Sequence, residues 1–303
     1  MSTLRGADWG ITYADDEDIF DILASFFAWD HPCRRFFDEH IFLDGLVAGG
    51  SEFCSSLLLH TVLAYGAKNY AFENSTVADS VEHFALVQAK TIFAFEAGHD
   101  TPATIAAGIM IHVIYLVNGD DKAGHQYLAQ AVKMGQNIGL FDVKSASSGP
   151  NEQLRARGLS VLAWGLFAHQ SLVSPPLYFQ FMLIDCHRSI SLNMHELPLI
   201  TDTPKVEKTF TDLSFEEDLW EAYPRHVPAK QSLTNSIFAA RASLYAIVNG
   251  MIPLHKKYES HRLSHDYLQG LKAIAEQLNE WYNTLAFPLA YLANATPHHL
   301  ALQ

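Results

Sequence analysis

The chain has 303 residues, 49% of them hydrophobic, which is enough apolar material for one large helical core or two interlocked ones. Its 33 acidic residues outnumber 20 basic ones, giving a formal charge of -13, so its long-range field repels phosphate backbones and direct nucleic-acid binding is not expected. Cys33, Cys54 and Cys186 stand far apart without a C-x2-C pair, which argues against a disulfide framework and a structural zinc site and suits a reducing compartment.

The opening MSTLRGADWGITYADDED is polar and acidic, unlike the apolar region of a secretory signal. Asp15 to Asp18 then place acidic groups ahead of Ile19, Phe20, Ile22, Leu23, Phe26 and Phe27, the pattern of a helix with a dipole-matched N-terminus that ends at His31-Pro32. A second short helix starts near Asp38, runs through Leu43 and Val47, and stops at Gly49-Gly50, after which Ser51 is expected to cap a third. That third helix carries Phe53, Leu57, Leu58, Thr61, Val62 and Tyr65, and a fourth presents Val77, Val81, Phe84, Val87, Ile92 and Phe95 as its apolar face. Thr101-Pro102 begins a fifth, ending near Val117 with Asn118-Gly119 as the turn. This stretch, Ala103 to Val117, is the most apolar, yet shorter than the about 18 residues of a membrane span, and reads as a buried core helix. No membrane association is expected.

From about Asp121 to Ile138 runs a helix whose Ala123, Gly124, Ala129, Ala131 and Gly135 allow a neighbour to approach closely, with Gly139 as a left-handed cap. Beyond the loop KSASSGPNEQ, a helix from about Glu152 to Gln170 turns Leu159, Leu162, Ala163, Leu166 and Phe167 inward. Prolines and charges make residues 189–228 an irregular linker, and helical period returns at Ser232 with Ile237, Phe238, Leu244, Ile247 and Val248. After a Ser264 start follow Leu268, Leu271, Ile274, Leu278 and Trp281. No alternating strand pattern is visible, so the expectation is an all-α fold, a multi-helical array of antiparallel helix pairs: a first helical half over 15–170, an irregular linker or insert over 171–230 and a second helical part over 231–303.

Residues that carry chemistry are sparse. His261 and His265 stand at i, i+4 and could share a helix face, yet they lack the intervening glutamate of an H-E-x-x-H site and a third ligand; His298-His299 read as exposed, and no metal or other cofactor is expected. His112 and His169 fall on apolar helices and read as hydrogen-bonded core or pocket histidines rather than catalytic bases. There is no G-x-S-x-G elbow, no cysteine in a recognisable catalytic setting and no glycine-rich phosphate loop, so no catalytic residue is assigned. The aromatic set Phe26, Phe27, Trp29, Phe36, Phe37 and Phe42 reads as core. Trp164, Phe167 and His169 are the candidate lining of an effector pocket, two stacking surfaces and one polar handle.

Several segments in order carry a resemblance: FFAWDHP at Phe26 to Pro32, HIFLDGL at His40 to Leu46, EFCSSLLLHTVLAYGAK at Glu52 to Lys68, DDKAGHQYLAQAVKMGQNIGLF at Asp120 to Phe141, and RARGLSVLAWGLFAHQ at Arg155 to Gln170. LPLITDTP at Leu197, WEAYPRHV at Trp220 and LNEWYNTLAFPL at Leu278 continue it. Together they resemble the fungal-specific transcription factor domain, the regulatory region of binuclear zinc-cluster activators, nearest the nitrate-assimilation type. The resemblance implies a transcription-regulatory role in the nucleus, partners in the transcription machinery or a full-length zinc-cluster regulator, and a possible small-molecule effector. It also implies a relative without the family's cysteine-rich DNA-binding head and without its later helices. Leu172 to Arg188, LVSPPLYFQFMLIDCHR, interrupts the family-like order, and its Val-Ser and Cys-His-Arg can be encoded by splice-site sequences, so a retained intron is the expectation there. The competing function is an enzyme of fungal secondary metabolism, a cyclase or hydrolase, which a closed pocket holding His169 or His112 beside a carboxylate would favour. An adaptor with an exposed apolar groove is the third reading.

Overall fold

A computed structural model describes residues 4–96, 98–142, 149–173, 199–200, 202–208, 219–224, 228–258, 264–285 and 296. Local signals set most helix starts. Asp15 accepts a hydrogen bond from the Asp18 amide at the head of α1 (Asp16–Ser25), which continues as a π-helical turn, Phe26–Asp30. Asp38 caps α2 (Glu39–Ala48) through the amides of His40 and Ile41. Ser55, not Ser51, caps α3 (Ser56–Tyr70); Ser51 instead closes a tight bridge with Cys54 and accepts from the Phe53 amide. A hydroxyl can satisfy a turn as well as a helix end, and the sequence alone does not rank the two.

α4 (Ser75–Glu96) and α5 (Pro102–Val117) follow, the latter capped by Thr101 through the Thr104 amide. α6 spans Asp121–Asn137 and ends two residues before Gly139, whose φ of 67° is the left-handed conformation glycine adopts most freely. α7 (Pro150–Val173) runs three residues beyond its expected end, and the rest of the expected insert, residues 174–188, lies outside the described residues. In the expected linker two short strands, β1 (Leu219–Trp220) and β2 (Lys230–Gln231), form an antiparallel ribbon. α8 (Thr234–Asn249), α9 (Met251–Lys257) and α10 (His265–Thr284) complete the described helices. The fold is all-α, with α3 against α4 and α5 against α6 as antiparallel pairs across short turns, α5 also lying on α3. α7 connects α5 to α8, and α10 packs on α8.

α5 is buried at every position from Pro102 to Ile114, which is why its sequence shows little polarity on any face. Its partner α6 approaches closely at Gly124, where a Cβ would lie 2.7 Å from that of Tyr115. α4 departs from expectation: Ala78, Val81, Ala85, Ala89 and Phe93 are buried, while Phe84 is 50% and Phe95 82% exposed. Small side chains let this helix lie close to its neighbours, so the alanine stripe forms the interface that the larger residues were expected to form. On α10 Leu268 is 51% exposed and Leu271, Ile274, Leu278 and Trp281 are half-buried. The run Thr234–Lys257, with a mean hydropathy of 1.4, is apolar and long enough by composition to cross a membrane, but here it is two helices packed against α7 and α10.

Candidate functional site

The aromatic turn at the end of α1, the loop at residues 31–38, α3, α7 and α8 converge on an open cleft of about 460 Å³. One wall is fixed by Gly165 of α7, since any Cβ there would overlap the Arg35 carbonyl oxygen. Helix and loop backbone are thereby in direct contact, and the side chains of Arg34 and Phe36 are displayed around the opening.

A chain of polar groups runs along the cleft. Arg34 Nη1 donates to the Tyr65 hydroxyl, Tyr65 is hydrogen-bonded in turn to the Asp30 carboxyl, and Asn69 Nδ2 donates to Asp30 Oδ2 at 2.5 Å. Burial pushes the Asp30 carboxyl up to about 7, against the opposing pull of Asn69, Arg34 and Tyr65. Burial likewise raises Tyr65 to about 12 and the Cys33 thiol above its ordinary value. Arg241, on α8, donates to the Cys33 carbonyl and borders the cleft from that helix.

His169 borders the same cleft and is hydrogen-bonded through Nε2 to His112 Nδ1 at 2.8 Å, so one ring must donate and the other accept. Burial is the main cause that holds both neutral, lowering His112 to about 4 and His169 well below its usual value, with the neighbouring ring and Arg34 adding to the latter. Phe36 meets His169 edge-on at 5.3 Å. Of the three residues expected to share a pocket, His169 alone is among the described lining. Trp164 points the other way, donating to the Val206 carbonyl at 3.2 Å beneath the Lys208 ammonium, and Phe167 is fully buried against it. On α7, positions 164 and 167 share a face that position 169 does not, so the helix separates the aromatic pair from the histidine.

A second cavity, about 420 Å³, lies across Arg35 from the first. Its floor is a buried ion cluster: Asp38 Oδ2 accepts from Arg35 Nη2 at 3.1 Å and Arg157 Nε at 2.8 Å, and Arg35 Nη1 donates to Asn235. Burial alone would raise the Asp38 carboxyl, but the two guanidinium groups outweigh it and hold the group below its usual value. His31 hydrogen-bonds the Phe37 carbonyl at 2.9 Å and is pushed down to about 3 by burial, so its Nε2 carries the proton that is donated. The β1–β2 ribbon covers this side, with Trp220 Nε1 donating to the Ala28 carbonyl at 2.6 Å and Trp29 Nε1 to the Tyr223 carbonyl at 2.8 Å.

The arrangement suits holding a ligand more than activating a nucleophile. Cys33, Cys54 and Tyr65 are all shifted upward, away from the anionic forms that attack, and the histidines are too weakly basic to take a proton at neutral pH. Asp30 is the exception, titrating near neutrality. Among the described residues no group of three or more His, Cys, Asp or Glu could hold a metal ion. Sequence reasoning missed Asp30, Arg34, Tyr65, Asn69 and Arg241; its only trace was an i, i+4 charge pair, Asp30 and Arg34, inside an aromatic segment. Compared with known proteins, the chain matches no family model, no curated protein and no solved structure.

Proposed function

We propose that the chain is an effector-sensing helical domain of a fungal-type transcription regulator, acting in the nucleus through protein partners rather than by its own contact with DNA. The observation that carries this reading is the 460 Å³ cleft, formed where the first helical half meets α8 and lined by groups tuned for binding. Its volume is that of a small-molecule site, and a ligand there touches both halves of the molecule at once. The all-α architecture and the ordered family-like segments support the same reading, and the charge of -13 argues against a phosphate-binding surface. The partner is accordingly a component of the transcription machinery or a full-length zinc-cluster regulator. Fusing the chain to an unrelated DNA-binding domain upstream of a reporter gene tests it. Reporter output that changes with the fused chain supports regulation; unchanged output at verified expression contradicts it, as does tight, specific DNA binding by the chain alone in a gel-shift assay.

One observation favours an enzyme instead: Asp30, a carboxyl near neutrality, borders the same cleft as His169. A cyclase or hydrolase would use that carboxyl as its acid or base. Incubating the protein with a fungal metabolite extract discriminates, since a time-dependent conversion abolished by Asp30→Asn supports an enzyme and the absence of any conversion supports a sensor.

A further inference from the structure

The cleft gathers three of the chain's nine arginines, Arg34, Arg35 and Arg241, although the whole molecule is strongly acidic. Arg35 is matched by the buried Asp38 carboxylate. Arg34 and Arg241 differ: among the described residues their side chains donate to a phenol and a backbone carbonyl, neither of which carries a charge. Each guanidinium has five N–H donors in a planar fork, so most of that donor capacity is left for something else. Both groups border the same cleft, and the Cys33 thiol lies within electrostatic reach of each. Asp30, the acidic group beside Arg34, is raised to about 7 by burial and so carries only part of a full negative charge at neutral pH.

The remaining walls are aromatic. Trp29, Phe36, Phe238 and Tyr245 border the cleft, with the Arg35 guanidinium 5.7 Å from the centre of the Phe238 ring. Paired forks recognise a planar oxyanion, aromatic faces recognise a ring, and about 460 Å³ holds both in one small molecule.

We propose that this cleft binds a small aromatic carboxylate, its carboxylate held by Arg34 and Arg241 and its ring against the aromatic wall. The proposal rests on the sensor reading only in calling the ligand an effector; binding is measurable without transcription.

Calorimetric titration of the full chain with benzoate, 4-hydroxybenzoate, benzamide and inorganic phosphate tests it, with intrinsic tryptophan fluorescence as a second readout. The aryl carboxylates are expected to bind at least tenfold more tightly than benzamide, which lacks the charge, and than phosphate, which lacks the ring. Arg241→Gln and Arg34→Gln each lower affinity tenfold or more, Arg241→Lys recovers only part of it, and Arg155→Gln on the exposed surface changes nothing. Circular dichroism confirms that each variant is folded. Benzamide or phosphate binding as tightly as benzoate overturns the proposal, as do native affinity in both folded Gln variants or no binding of either carboxylate at millimolar concentration. Binding without a reporter response contradicts the sensor reading alone, and a reporter response without carboxylate binding contradicts this proposal alone.

Discussion

α5 and α10 are built on different patterns: α5 is apolar on nearly every face and is sealed on all sides, while α10 carries one apolar stripe and lies on the molecule like a strut. α5 contacts helices on several faces, with α3, α4, α6 and α7 as neighbours, and is buried from Pro102 to Ile114. α10 contacts α8 and α9, and among its described residues only Tyr267 is buried. The difference shows that the number of neighbours follows the breadth of the apolar surface: a helix apolar all round is enclosed, and one with a single stripe packs on one side. The cleft lies between these two regimes, with walls from the largely buried α3 and α7 and from α8, which is buried along one side.

The strongest way to break the comparison is at the joint. Asp38 ties α2 to α7 through Arg157, and Arg35 continues the connection to Asn235 on α8. Asp38→Ala leaves two buried guanidinium groups uncompensated and should cost about 3–5 kcal/mol in urea unfolding, with both halves affected. A loss under about 1 kcal/mol would mean that the cluster does not join them.

Next in size is the contrast itself. Ile109→Ala on α5 should cost about 2–5 kcal/mol, because the sealed site cannot collapse around the cavity. Ile274→Ala on α10, where the side chain is half-buried, should cost no more than about 1 kcal/mol. Equal losses at the two positions would remove the distinction.

Much of the architecture was legible because its signals are local. Asp15, Asp38, Thr101 and Ser264 cap helices through amides two or three residues away, so a short stretch of sequence contains the whole interaction. The face of α4 was misjudged because close helix approach favours Ala85 and Ala89, whereas hydrophobicity favours Phe84 and Phe95. The site was hardly legible at all. Tyr65 meets Arg34 across 31 positions, Asn69 meets Asp30 across 39 and Arg241 meets Cys33 across 208, so its chemistry exists only after the helices pack. His112 and His169 were recognisable as core histidines, but their pairing was not.

Acid titration sharpens the comparison at a smaller scale. His31 and His112 are held neutral with lowered values of about 3 and about 4, so their contribution is present above 6.5 and is lost as pH falls. Asp30 acts in the opposite sense: its value is raised from 3.8 to about 7, so its contribution is fully present below 3.8 and is lost as pH rises through 7. Asp30→Asn removes the opposing slope while keeping an acceptor for Asn69 and Tyr65. The variant should therefore lose stability more steeply than the native chain between pH 7 and 5, read from urea midpoints; parallel curves would show that Asp30 does not titrate there. The smallest effect is expected on the outer face of α10, where Glu276→Gln breaks the exposed contact with Lys272 and should change stability by about 0.3–0.5 kcal/mol at most.

On the function we propose, the cleft between the two halves senses a ligand and passes its state to a transcriptional output. The most direct measurement is reporter output from the fused chain against benzoate or 4-hydroxybenzoate concentration, native beside Arg241→Gln at matched expression. The account predicts a dose-dependent change in the native fusion that shifts to at least tenfold higher ligand concentration in the variant. Superimposable dose responses, or none in the native fusion while the purified chain binds the same ligand, would contradict it.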